Sequence, residues 1–438
     1  MSHDRFDSSR RDFLAASAAT GAAALAGGHP GLLSSAQADP QVYGKAEHCI
    51  FLWLTGGMGQ IDTFDPKPKM GVPEKREPGS YYESIPTAIR GEKVCKHLPR
   101  VAERLDRFNV LRTVNHNEID EHAAATNRMH TGRPTTGSIV YPSIGSIVAH
   151  EKGDGGDAVP RYVLIGYPSV SRGPGFLGAE ANYLYLTDIE SGPAGFTRPG
   201  NVSERRQEAR DKMLARIREL QLNGDHADRV MADYDTTIEQ TQRLASPEFM
   251  NVFDIDSERK SLRESYGSEF GERCLLARRL VQRGVRFVEV SHNLNFVNGA
   301  GWDVHRDAIL KQHLLIEELD KALSTLVTDL EAHNLLEKTL IVATGEFGRP
   351  SGFDGAGGRD HYNRTFSVVM AGGGRKSGKV IGETDELAMN IESRPVPLPD
   401  LFATIVSTLG INPSKELYAA DRPVPITDMG TPVSELFT

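Results

Sequence analysis

Residues 339–350, Thr339-Leu340-Ile341-Val342-Ala343-Thr344-Gly345-Glu346-Phe347-Gly348-Arg349-Pro350, decide how the rest of the chain is read. An unbroken apolar run of this length, closed by a Gly-rich turn, predicts a buried strand of a parallel sheet. The turn carries a carboxylate and a guanidinium. A glycine-rich loop follows and ends in Gly358-Arg359-Asp360-His361, after which residues 366–371 form a second apolar run. Open α/β sheets keep their chemistry in such loops, beyond the strand ends.

Upstream stands Gly301-Trp302-Asp303-Val304-His305, followed by a helical stretch over residues 307–330. There Leu315, Leu319, Leu323, Leu326 and Leu330 recur at spacings of 4, 4, 3 and 4, one buried stripe. Further apolar runs at residues 49–54, 108–113, 161–166 and 285–291 read as strands. Residues 204–244 and 257–284 have helical composition, the first read as a hairpin on the sheet surface and the second closed by Gly284. Residues 173–196, rich in Gly, Pro and Tyr, read as an irregular wall or lid. Asp400 is a plausible N-cap for a last helix ending before Gly410. Strands alternating with helices predict an α/β fold: a doubly wound, largely parallel sheet flanked by helices.

The N-terminus reads as an address. Ser9-Arg10-Arg11-Asp12-Phe13-Leu14 is a twin-arginine pattern, a mildly apolar run follows, and Ala36-Gln37-Ala38 fits a cleavage site. The expectation is export to the periplasm or beyond, with cleavage near Ala38. Residues 39–438 would then be one α/β domain with a helical insertion around 200–283. No apolar run reaches the roughly 18 residues of a transmembrane helix. Cys49, Cys95 and Cys274 are widely spaced without a C-x-x-C, and Cys49 and Cys274 read as buried small hydrophobes. A net charge of -9, without a basic stripe, argues against a nucleic-acid partner. A small anion needs only a local positive site.

The chemistry-bearing residues gather at predicted strand ends. After the first strand comes Thr55-Gly56-Gly57-Met58-Gly59, then Asp62 and Asp65, either of which can face a site; the glycines match no nucleotide-binding fingerprint. After the second comes a His-dense segment with His116, His122 and His130. His116 and His122 are placed to ligate a metal or bind an oxyanion, against the plainer alternative of a capped helix start with surface histidines. Asp303 and His305, two apart, point the same way and can share one ion. Asp360 and His361 can both reach inward from a loop, or one can support the other. Mixed carboxylate and imidazole ligands suit Zn²⁺, Mn²⁺, Fe²⁺ or Ni²⁺, and Mg²⁺ or Ca²⁺ where carboxylates dominate.

Taken together, residues 52–67, Gly301-Trp302-Asp303-Val304-His305, Gly345-Glu346-Phe347-Gly348-Arg349 and Gly358-Arg359-Asp360-His361 resemble one exported bacterial family, domain of unknown function 1501. The resemblance covers nearly all of residues 39–438. It implies a sulfatase-like protein of the alkaline phosphatase superfamily, with a metal site at the strand ends. Active members of that superfamily place one or two acids after the first strand, where this chain has Thr55-Gly56-Gly57 and then Asp62. Their nucleophile precedes a Thr-Gly-Arg element by nine residues. Thr131-Gly132-Arg133 is similar, but His122 stands in the nucleophile's place. Their Asp-His pair corresponds to Glu346-Phe347, without the imidazole.

The expected function is metal-dependent hydrolysis of sulfate or phosphate esters on a small anionic or glycan-type substrate. Asp62, Asp303, His305, Asp360 and His361 are the candidate ligands of one or more divalent metal ions. His122, Glu346 and Arg349 are the candidate catalytic residues, and His116, Arg133 and Arg359 the candidate substrate contacts. The alternative is a non-catalytic envelope protein that binds an anion, glycan or protein partner through the altered site.

Overall fold

The computed structural model describes residues 44–437 apart from 119–120, 136–138, 154–158, 190–191, 194–200, 223–246 and 293–296. The twin-arginine segment and the cleavage site lie outside the described residues, as does the second half of the expected helical hairpin.

Nine strands form the main sheet. In chain order they are β1 (His48–Trp53), β2 (Phe108–Asn115), β3 (Tyr162–Ile165), β4 (Leu184–Leu186) and β5 (Phe287–Ser291). β6 (Thr339–Thr344), β7 (Phe366–Gly372), β8 (Lys379–Ile381) and β9 (Val396–Pro397) complete it. The spatial order is β8-β2-β7-β6-β1-β5-β3-β4, with β9 beside the end of β2. All pairings are parallel except those of β7, which runs antiparallel to both β2 and β6. A parallel neighbour needs a crossover that carries the chain back along the sheet. Residues 345–365 supply no helix between β6 and β7, so β7 returns head to tail and the loop stays at the carboxyl end of β6.

Side chains of β1 alternate between two cores. Ile50 and Leu52 face the layer containing α4 (Glu269–Gln282) and α5 (Gln312–Ala332). Cys49, Phe51 and Trp53 face the layer containing α1 (His122–Thr131), α2 (Ile144–Lys152) and α6 (Leu398–Thr408). The sheet is covered on both sides, the doubly wound arrangement expected. The α5 stripe of Leu315, Leu319, Leu323, Leu326 and Leu330 is fully buried. Each such leucine contributes about 1.5–3 kcal/mol relative to an exposed one. Helix α3 (Glu204–Leu222) lies between β4 and α4 in sequence. All three cysteines are buried and free. No helix among the described residues is long and apolar enough to cross a membrane.

Two local expectations are corrected. Helix α6 begins at Leu398 with Pro397 at the cap, because Pro399 fixes a helical φ in its first turn. Asp400 lies inside that turn, and its carboxylate accepts the backbone N–H of Thr431 at 2.8 Å. The stretch expected as an irregular wall includes β4, which pairs with β3 over three residues.

Candidate metal centre

The carboxyl ends of β1, β2 and β6 and the loop after β5 bring the site together. Gly56, at φ +113°, lies so close to Trp302 and Asp303 that a Cβ there would sit 2.4 Å from the Asp303 nitrogen. Only glycine fits both that backbone and that contact. Its N–H donates to the Glu346 carboxylate, at 3.0 and 3.1 Å to the two oxygens. Glu346 is fully buried, and its Oε1 stands 2.7 Å from His122 Nδ1. Helix α1 begins at His122, and the Glu121 side chain caps it by accepting from the N–H groups of Ala123 and Ala124. The capped helix start is therefore real, yet its first residue points into the site. His116 Nε2 donates to the Glu346 carbonyl at 2.7 Å and steadies that turn.

Asp303 is the centre. Its Oδ1 lies 3.4 Å from His122 Nε2, 3.2 Å from His305 Nε2 and 3.5 Å from His361 Nε2. The two nitrogens His305 Nε2 and His361 Nε2 are themselves 3.0 Å apart. His122 Nε2 is buried, and beyond its ionic contact with Asp303 it has no hydrogen-bond partner among the described residues. His361 stacks on Phe347, with ring centroids 4.5 Å apart, and meets the His122 ring edge-on at 4.4 Å. The Phe347 ring thus forms a shelf for the His361 imidazole.

Burial alone would raise the Asp303 carboxyl. His122, His361 and Arg349 outweigh it and hold the group well below the usual carboxylate range. Conversely, the carboxylates of Asp303 and Glu346 push the His122 imidazole up to about 9.

Arg349, expected as a catalytic residue, and Arg359 and Arg133, expected at the substrate, all have their guanidinium groups engaged by the protein itself. Arg349 is fully buried and donates to Asp303 Oδ1 at 2.7 Å, to the carbonyls of Gly57 (3.1 Å) and Arg359 (2.8 Å), and to that of Gly56. It positions Asp303 and has no donor to spare for a substrate. Arg359 forms a buried fork with Asp62, at 2.7 and 3.0 Å, and donates to three backbone carbonyls as well. Asp62 also accepts the Tyr81 N–H at 2.9 Å, so this carboxylate is spent as a structural partner rather than brought to Asp303. Arg133 donates to Asp428 at 2.6 Å and to the carbonyls of Pro425 and Thr427. Asp65 pairs with Lys67 at 2.9 Å. Asp360 is exposed, 3.6 Å from His305 Nδ1, on the side of that ring away from Asp303.

Two groups escaped the sequence reading. Asp354 lies 3.7 Å from His305 Nδ1 and accepts the N–H groups of Arg306, Ala356 and Gly358 at 3.1, 2.8 and 3.0 Å. Its setting, Asp354-Gly355-Ala356-Gly357-Gly358, is a turn signature that could have flagged it. The other is a fully enclosed cluster on β5. Glu289 pairs there with Arg172 at 2.6 Å, His130 at 3.1 Å and the Tyr162 hydroxyl at 2.9 Å. A lone acid inside an apolar strand was its only signal.

A family model described as "Protein of unknown function (DUF1501)" matches residues 46–437. No curated protein matches the chain. Among solved structures, the PsFucS1 sulfatase from Pseudoalteromonas sp. is similar at 16% identity and a TM-score of 0.38, over 84% of this chain and 68% of that one. Alkaline phosphatase from the Antarctic bacterium TAB5 is similar at 11% identity and a TM-score of 0.37, over 84% and 99%. The lipoteichoic acid synthase LtaP from Listeria monocytogenes is similar at 9% identity and a TM-score of 0.36, over 89% and 77%. With the family model covering almost its whole length, this chain belongs to the DUF1501 family.

Proposed function

We propose that this chain is an exported, metal-dependent hydrolase of sulfate or phosphate esters. One observation carries the reading: three imidazole nitrogens stand 3.2–3.5 Å from a single carboxylate oxygen. Ligands around a tetrahedral ion with bonds of about 2.0–2.1 Å are separated by about 3.3 Å, close to the spacing of the His305 and His361 nitrogens from that oxygen.

Asp303, His305 and His361 would hold the ion, which when bound polarises a sulfuryl or phosphoryl oxygen. Arg349 fixes the Asp303 carboxylate, and Phe347 fixes the plane of His361. Glu346 accepts the Nδ1–H of His122 and so turns Nε2 toward the ester. As a water molecule attacks the sulfur or phosphorus and the ester bond breaks, His122, carrying a proton at neutral pH, gives it to the departing oxygen as a general acid. The fully buried Glu346 side chain keeps water off the far side of that imidazole.

The test is metal content by plasma mass spectrometry on protein purified without a metal-affinity tag, alongside turnover of aryl sulfates and phosphates. Near-stoichiometric metal, lost in Asp303→Ala and His361→Ala together with activity, is expected. Metal-free parent protein, or loaded protein inert on every ester, overturns the proposal. A second reading, a non-catalytic anion- or glycan-binding protein, is favoured by the absence of a hydroxyl or thiol at His122 and by the engagement of Arg133 with Asp428. Binding of sulfate or phosphate that survives chelation, without turnover, would establish it instead.

A further inference from the structure

A cleft of about 510 Å³ opens beside the centre, lined by His305, Arg306, Asp354, Gly355 and Ala356. Its volume falls in the range of about 300–1,000 Å³ that holds small-molecule ligands. His305 is shared: its Nε2 faces Asp303 while its other nitrogen faces Asp354 and Asp360.

Arg306 differs from the three arginines described above. It is exposed, and its guanidinium makes no hydrogen bond or ion pair among the described residues. Its backbone sits at φ +54°, a conformation that a non-glycine residue adopts at a cost. Two contacts hold it there. Its N–H donates to Asp354, and a Cβ on Gly358 would lie 2.1 Å from its nitrogen, so the loop seats flat beneath it. Asp354 also lines the cleft, but its carboxylate is engaged by the three backbone N–H groups it accepts, and Arg306 is the arginine of the lining. A second guanidinium, without a hydrogen bond or ion pair among the described residues, flanks the loop tip. Arg76 Nη2 lies 3.2 Å from where a Cβ of Gly355 would be, again on a residue with positive φ, +55°.

We propose that this cleft binds a second anionic group of the substrate, a sulfate, phosphate or carboxylate carried beyond the scissile ester, and that Arg306 is the residue that recognises it. The substrate class is then a polyanionic ester rather than a simple one, with an arm of about one sugar ring filling the cleft. The inference rests on the hydrolase reading for the position of the reacting end.

Calorimetric titration of the metal-loaded protein with phenylphosphonate and with 4-carboxyphenylphosphonate tests it, neither probe being hydrolysable. The parent is expected to prefer the carboxylated probe by about tenfold, the scale of one charge-assisted pair. Arg306→Gln abolishes that preference and Arg306→Lys keeps part of it, with the metal content of each variant reporting its fold. A parent that binds both probes equally, or a preference that survives in Arg306→Gln, overturns the cleft assignment and leaves the hydrolase proposal standing. A parent that binds neither overturns both.

Discussion

Helix α1 carries a histidine into each of two clusters made from the same residue types. At its C-terminal end His130 joins Glu289, Arg172 and Tyr162, where each polar group points at another of the cluster. At its N-terminus His122 joins Asp303, His305, His361 and Arg349, where three imidazoles crowd one oxygen and a buried nitrogen is left over. Composition does not separate a structural network from a site. Saturation does. A cluster whose donors and acceptors cancel is finished, whereas one with surplus donors facing a cleft awaits a ligand.

The contrast is most sharply tested in the closed cluster. Glu289→Leu strips Arg172 of its buried counter-charge and is expected to cost about 3–5 kcal/mol in urea unfolding. A loss below about 1 kcal/mol would show that the network is no anchor. Asp303→Asn is the counterpart in the open cluster. Metal affinity is expected to fall at least tenfold, with a smaller loss of stability than in Glu289→Leu because four backbone carbonyls still hold Arg349. The reverse order of stabilities would break the comparison.

Acidity separates the clusters by sign. Burial works against ionised Glu289, yet Arg172 and His130 hold it down to about 2, below its ordinary 4.5. Its contribution is present above that ordinary value and lost as pH falls through about 2. His122, raised to about 9 from 6.5, contributes fully below 6.5 and loses that contribution as pH rises through about 9. Unfolding midpoints of chelated protein are therefore expected to drop at both extremes, with Glu289→Gln flattening the acid limb and His122→Gln the alkaline one. The smallest effect belongs to Arg133→Gln. Its partner Asp428 is 40% exposed, so the change is expected to stay within about 1 kcal/mol and leave metal content unaltered.

The sheet was legible because its long strands are continuous apolar runs, and the meeting of Asp303, His305 and His361 because all three stand in glycine-containing loops at predicted strand ends. β4 was not, since Leu184-Tyr185-Leu186 is too short to carry a period. Arginine roles were least legible. Arg359 meets Asp62 across 297 positions, and Arg349 meets the Gly57 carbonyl across 292. Whether a guanidinium is buried among carbonyls or open to a ligand is decided by such distant chain crossings, which leave no local pattern. Arg306 is the converse, adjacent to His305 in sequence yet distinguished by its φ and by a guanidinium without a partner among the described residues.

The placement of β1 sets a timetable. This first strand lies in the middle of the sheet, Cys49 pairing with Phe287 on one side and Leu340 on the other. Neither partner exists until most of the chain has been synthesised, so Cys49-Ile50-Phe51-Leu52-Trp53 waits unpaired while intervening segments emerge. Such topologies fold slowly and expose sticky strands on the way. The three imidazoles around Asp303 come from positions 122, 305 and 361, so the candidate site is complete only when almost the whole polypeptide has been made. Late completion of the candidate site is thus written into the strand order itself.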